Sequence, residues 1–234
     1  MTKNRYDNYT KEQLVEKIRQ LEKHRYGLVW EDKKEDVAEQ CNKELPVLYE
    51  DTGKEIKSNG TDKQPINILI EGDNYHALYT LSFTHKSKID FSYFDPPYNT
   101  GAKDWKYNNK FVDALDPYRH SKWLSFMQKR LRLTKKLLKP SGILCVTIDD
   151  YELPRLWCLL DQIFGEKNHL ETVVIRSNPK GRKTERKVSL IHEYALFYGK
   201  SEKSKIQKLE IAPEDKTHNY LQEEDGTDTV KSFL

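Results

Sequence analysis

This sequence has few cysteines, no closely spaced glycines and no long apolar run. Its three cysteines, Cys41, Cys145 and Cys158, are odd in number and widely spaced, which excludes a disulfide framework and leaves no metal-ligand pair. Cys145 and Cys158 stand in apolar segments and read as buried small hydrophobes. No two of the ten glycines are spaced Gly-x-Gly, so the close backbone approach of a glycine-rich ligand turn is missing. No apolar run approaches the length of a membrane span, and Met1-Thr2-Lys3-Asn4-Arg5 leads into charge rather than into a signal segment. A reducing cytoplasm fits this inventory. An excess of one charge is missing too. Against 40 basic residues stand 37 acidic ones, a net +3, so any nucleic-acid footprint must come from local clustering.

What is present falls into three stretches: 1–63, 64–200 and 201–234. In the first, Thr10-Lys11-Glu12-Gln13 has the form of a capping box. Leu14, Ile18 and Leu21 follow at helical spacing, which predicts a helix from about Thr10 to His24. Its narrow apolar stripe suits packing on the main domain or on a second copy. The chain from Glu31 to Lys63 is charged and turn-rich, with helical hints at Val37 to Cys41, and reads as a linker or loosely packed arm.

The rhythm changes at Ile66. Ile68-Leu69-Ile70 predicts a buried strand ended by Glu71-Gly72-Asp73-Asn74. Tyr75 to Phe83 is helical in period, and Ile89 to Phe94 is a second strand running straight into Asp95-Pro96-Pro97-Tyr98. Arg119 to Leu138 predicts a helix with Trp123, Met127, Leu131, Thr134 and Leu138 on one face, stopped by Pro140-Ser141-Gly142. Ile143 to Ile148 is a third strand, after which Asp149 or Asp150 caps a helix to about Phe164. Strands alternating with helices predict an α/β fold with a mainly parallel sheet. Glu171 to Arg176 and Glu193 to Tyr198, joined without a helix, predict an antiparallel pair at one edge. After Lys200 the chain turns polar, a tail or the start of a further region.

Ligands of open α/β sheets bind beyond the carboxyl ends of the strands, which is where Asp95-Pro96-Pro97-Tyr98 stands. An exocyclic base amine is a poor nucleophile because its lone pair is delocalised into the ring. A carboxylate and a backbone carbonyl that accept its two hydrogens turn that lone pair toward an electrophile. Asp95 supplies the carboxylate and Pro96 the carbonyl, stiffened by two prolines with fixed φ. Tyr98 offers a face for base stacking, worth about 1–3 kcal/mol. A base inside a duplex must be flipped out to reach them. A proline-stiffened turn with Asp95 capping backbone groups would explain Asp-Pro alone. The four residues together, after a buried strand and before Asn99-Thr100-Gly101, favour the chemical reading.

Read together, Ile66 to Asn74, Lys88-Ile89-Asp90, Asp95 to Gly101, His120 to Leu124, Gly142 to Asp150, Ile163-Phe164-Gly165 and His192-Glu193-Tyr194 resemble the N6-adenine/N4-cytosine DNA methyltransferases. Within that family they look like the modification subunits of type III restriction-modification systems, over roughly residues 66 to 200. The resemblance implies a Rossmann-like sheet, S-adenosylmethionine as methyl donor, and double-stranded DNA as substrate. It also implies target-base contacts at Asp95, Pro96, Pro97 and Tyr98, and a prokaryotic or phage source. Aspartate before the two prolines, rather than serine, is similar to the adenine-N6 enzymes. Asp73 matches an acidic position near the cofactor in relatives, and it suits an Asx-turn equally well. Lys180, Arg182, Lys183, Arg186 and Lys187, opposed only by Glu185, lie in a region near the DNA in the family. They suit phosphate neutralisation or a merely solvated hairpin loop. Trp105 and Tyr107 either pack on a flipped nucleotide or pin their own loop.

The sequence departs from the family in one respect. Relatives hold the methionine end of the cofactor in a glycine-rich turn, which here belongs after the basic hairpin and is not found. The expectation is therefore an incomplete methyltransferase sheet with an antiparallel edge hairpin, preceded by a helical N-terminal arm. Three explanations stay open: a fragment, a split enzyme completed by a second chain or C-terminal segment, or a non-catalytic DNA-binding or assembly subunit. A homodimer or a restriction subunit is the further partner expected. The edge of such a sheet, beside the strand leading to Asp95, is expected to be exposed.

Overall fold

The computed structural model describes residues 9–23, 28–54, 67–100, 117–177, 191–207, 220–222 and 228–230. In chain order the helices are α1 (Lys11–Lys23), α2 (Asp36–Cys41), α3 (Asn74–Thr84), α4 (Arg119–Leu137) and α5 (Leu153–Phe164). The strands are β1 (Ile89–Phe94), β2 (Leu138–Ile148), β3 (His169–Arg176), β4 (His192–Gly199), β5 (Tyr220–Gln222) and β6 (Asp228–Val230). The last two form a separate antiparallel pair. The others form one open sheet in the order β1-β2-β4-β3, with β1 and β2 parallel and β4 antiparallel to both neighbours. The chain is thus mixed α/β with an open four-stranded sheet and an antiparallel edge pair; the sheet is not mainly parallel as the alternating pattern predicts, since among the described residues only β1 and β2 pair in parallel.

Local chemistry explains most element bounds. The Thr10 backbone N–H donates to Gln13 Oε1 at 2.9 Å and the Gln13 N–H donates to Thr10 Oγ1 at 3.2 Å, so the capping box that starts α1 is closed. The apolar stripe of α4 places Trp123, Leu124, Met127 and Leu131 in the core. They meet Leu144, Val146 and Ile148 of β2, Leu156, Leu159, Leu160 and Phe164 of α5, and Leu196 and Tyr198 of β4. Gly142 lies within β2 because a Cβ there would stand 2.9 Å from the Ile89 carbonyl oxygen of the adjacent strand.

Three local expectations are corrected. Ile68-Leu69-Ile70 forms no strand: Ile68 is 70% and Leu69 97% exposed, because among the described residues β1 pairs only with β2 and nothing pairs with this segment. Helix α5 starts at Leu153, with Pro154 in its first turn, where a missing N–H costs nothing. Neither Asp149 nor Asp150 is its N-cap; Asp149 instead accepts the Tyr151 N–H at 2.9 Å. Cys158 is exposed, on the outer face of α5, whereas Cys41 and Cys145 are buried.

The charged segment after Leu28 is tied to α4. The Trp30 indole N–H and the Lys33 backbone N–H both donate to Ser125 Oγ, at 3.3 and 3.0 Å. Glu35 is buried against Arg130. On the far side of the sheet β1 has an unpaired edge among the described residues, where Phe91 and Tyr93 are 52% and 58% exposed. No described helix is long and apolar enough to cross a membrane.

Candidate active site at the carboxyl end of the sheet

Because β1 and β2 are parallel, Phe94 and Ile148 end at the same side of the sheet; β4, running the other way, begins there with His192. Three chain segments therefore converge on Asp95-Pro96-Pro97-Tyr98. Each residue of the turn is fixed by a different element. Thr147, on β2, donates its hydroxyl to Asp95 Oδ1 at 3.0 Å, with the Phe94 carbonyl at 3.3 Å as a second acceptor. The Trp123 indole, fully buried on α4, donates to the Pro97 carbonyl at 2.7 Å. The Tyr98 hydroxyl donates to Glu193 Oε2 on β4 at 3.3 Å.

Asp95 itself is solvent-exposed, Pro96 is buried, and Pro97 and Tyr98 are half-buried. Among the described residues the Pro96 carbonyl has no hydrogen-bond partner, so the neighbouring Pro97 carbonyl is the one spent on structure. The turn ends on Asn99, whose φ of 57° lies in the left-handed region that asparagine tolerates better than most residues. Its side-chain amide donates to Glu152 Oε1, which is also 2.5 Å from His120 Nδ1. Glu152 is fully buried. That carboxylate, at the start of α5, thus anchors the exit of the turn to α4 and α5 together.

Burial pushes the Tyr98 phenol above the ordinary tyrosine range; a hydrogen bond from Thr147 opposes this, and the carboxylates of Asp95 and Glu193 add to it. Tyr198 is raised in the same direction by burial and by Asp161, its 2.7 Å acceptor. Both folded-state values lie above the unfolded value of about 10. The stability this contributes is complete below that pH and is lost as pH rises toward the folded-state values. We expect unfolding midpoints to fall from about pH 10 upward, while a subset of tyrosines ionises only with unfolding. Simultaneous ionisation of all tyrosines in a still-folded sample would contradict this. Trp123→Phe keeps an aromatic ring but removes the N–H with its five-membered ring, leaving the Pro97 carbonyl without its donor beside a small cavity, for an expected stability loss of about 2–4 kcal/mol in a denaturant titration.

The remaining candidates are placed differently. Asp73 is the N-cap of α3: its Oδ1 accepts the Tyr75 N–H at 2.7 Å and lies 3.6 Å from an Arg130 nitrogen. Lys180, Arg182, Lys183, Arg186 and Lys187, and likewise Trp105 and Tyr107, lie outside the described residues. No group of three or more His, Cys, Asp and Glu side chains forms a metal-binding cluster among the described residues. Sequence reasoning missed Thr147, Trp123, Glu152 and Glu193 as site residues. Trp123 reads as part of an apolar stripe; it, Thr147 and Glu193 lie within segments that carry the family resemblance without being singled out there, and Glu152 carries no local signal.

The DNA methylase family N6_N4_Mtase matches residues 89–233, from the first residue of β1 onward, and the chain belongs to that family. Among its relatives is the type II methyltransferase M.KpnI of Klebsiella pneumoniae, 37% identical over 179 residues, which are 75% of this chain and 42% of that protein. The type III restriction-modification enzyme EcoPI Mod subunit of Escherichia phage P1 is 31% identical over 223 residues, covering 82% and 34%. The EcoP15I Mod subunit of Escherichia coli is 29% identical over 230 residues, covering 86% and 35%. The chain therefore spans well under half the length of these relatives.

Proposed function

We propose that this chain holds the target base of a DNA methyltransferase that acts on the N6 amine of a flipped adenine within a restriction-modification system. The observation that carries this reading is the Asp95 turn. A carboxylate oriented by Thr147 stands beside a carbonyl that has no hydrogen-bond partner among the described residues, in a loop clamped by Trp123 and Glu193. Preorganised acceptors aimed at a reacting amine need no rearrangement at the moment of reaction. Asp95 and the Pro96 carbonyl accept the two amine hydrogens, and Tyr98 stacks on the ring. Residues 64–200 form this unit, with the N-terminal arm and the tail flanking it. The names of the relatives, restriction-modification methyltransferases and Mod subunits, favour double-stranded DNA and a prokaryotic or phage cytoplasm. They also favour a partner chain, either a second copy or a restriction subunit.

S-adenosylmethionine would supply the electrophilic methyl group. No Gly-x-Gly occurs in the sequence to hold its methionine end, and Asp73 is committed to its own helix cap and lies 3.6 Å from Arg130, a poor fit to that group. That disagreement favours completion of the cofactor site by another segment or chain, and it also supports a second reading, a DNA-binding or assembly subunit that does not catalyse. One experiment separates them. Labelled methyl transfer to mixed-sequence DNA is measured with the chain alone and with its restriction-modification partners, and the modified nucleosides are identified. N6-methyladenine that disappears with Asp95→Ala supports the proposal, and N4-methylcytosine would overturn the base assignment. DNA binding without any transfer in either setting would establish the second reading.

A further inference from the structure

The opposite end of the sheet holds a cavity of about 900 Å³, within the size range of small-ligand sites. Besides Lys17 on α1, it is lined by five cations from three places that the fold brings together. Lys86 precedes β1, Arg132, Lys135 and Lys136 end α4, and Lys200 follows β4. Two carboxylates, Glu31 and Asp32, also line it, but Glu31 is paired with Lys33 at 3.0 Å and Asp32 lies 3.6 Å from Lys129. Among the described residues no carboxylate forms an ion pair with any of those five cations. Lys200 and Lys135 point their ammonium groups at the Leu138 and Ile163 carbonyls instead. The remaining wall is mixed: Leu28, Val29, Trp30 and Ile163 are apolar, and Ser87, Gln128 and Gln162 are polar.

From this arrangement we infer that the cavity binds a nucleoside polyphosphate, its phosphates on Lys86, Lys135, Lys200 and Arg132 and its base against Trp30, Leu28 and Val29. Cations gathered without a carboxylate paired to any of them repel one another, and a polyanion relieves that repulsion while each ammonium retains donors beyond the one it gives to a carbonyl. The Lys200 ammonium is already held below its ordinary pKa by burial and by the nearby Lys135 and Lys86 charges. The apolar part of the wall discriminates a nucleotide from bare polyphosphate. The cavity lies a strand's length, roughly 15–20 Å, from Asp95, so it is a site separate from the base-holding turn and independent of that turn's assigned role.

The test is calorimetric titration of the chain with ATP, with inorganic tripolyphosphate and with a short DNA duplex. ATP should bind saturably and tripolyphosphate more weakly. Lys86→Gln/Arg132→Gln, two exposed positions chosen to spare the fold, should weaken ATP by about tenfold or more. Trp30→Ala should weaken ATP while leaving tripolyphosphate nearly unchanged. Absence of saturable ATP binding by a folded sample overturns the inference, and so does unaltered affinity in the double variant. Displacement of ATP by duplex in stoichiometric amounts overturns it as well, because the phosphates recognised would then be those of DNA.

Discussion

Asp95→Ala is expected to reduce methyl transfer by about 10²–10³-fold, the scale on which a single preorganised polar group acts at a developing charge. The side chain is solvent-exposed and its described partners are the hydroxyls of Thr147 and Tyr98, so its removal should leave the melting profile close to that of the parent. Asp95→Asn sharpens the point. It preserves shape and can still bond Thr147, yet it halves the acceptor capacity offered to an amine. Its activity should fall between those of the parent and the alanine variant. Methyl incorporation into mixed-sequence DNA, alongside thermal unfolding of each variant, checks both halves. An alanine variant with parental activity would remove Asp95 from the chemistry altogether.

The largest effect on stability should come from Glu35→Ala, remote from the turn. Arg130 is 2% exposed and donates to both Glu35 oxygens, at 3.1 and 2.7 Å. It also donates to Asn74 Oδ1 at 2.6 Å and to the Phe126 carbonyl at 3.1 Å, and lies 3.6 Å from the centroid of the Phe126 ring. One guanidinium thus ties the N-terminal arm and α3 to α4. Removing Glu35 leaves a buried cation whose nearest remaining carboxylate is Asp73 at 3.6 Å, for an expected loss of about 3–5 kcal/mol. The double variant Glu35→Leu/Arg130→Met, which removes both charges, should recover most of that loss. Denaturant midpoints of the single and double variants decide it, and a loss below about 0.5 kcal/mol in the single variant would place Glu35 among ordinary surface residues.

The parts of this molecule written in short-range pattern were legible in the sequence. The capping box of α1, the apolar stripe of α4, the strand entering Asp95 and the antiparallel β3–β4 pair all follow from spacing within one element or between two neighbours. Parts that depend on what lies opposite were not. Ile68-Leu69-Ile70 has the composition of a buried strand, but composition does not supply a neighbour to pair with. Glu35 and Arg130 are 95 positions apart, and nothing local marks either as buried. Trp123 reads correctly as core, while the polar edge that fixes the Pro97 carbonyl is invisible to a count of apolar positions. Asn99 follows the four-residue motif at once, yet its left-handed backbone and its tie to Glu152 depend on a helix that starts more than fifty residues later.

The carboxylate of Asp95 is oriented by the strand beside its own, and the partnership of Phe94 with Val146 determines which side chain stands there. Strand side chains alternate between faces, so a slip of one residue between β1 and β2 would replace the Thr147 hydroxyl with an isoleucine or a valine. Sheet alignment therefore acts as a ruler for the amine-holding geometry. Any force that shears β1 along β2, whether from a bound partner or from a strand added at the exposed edge of β1, would reach Asp95 as a change in aim without touching it.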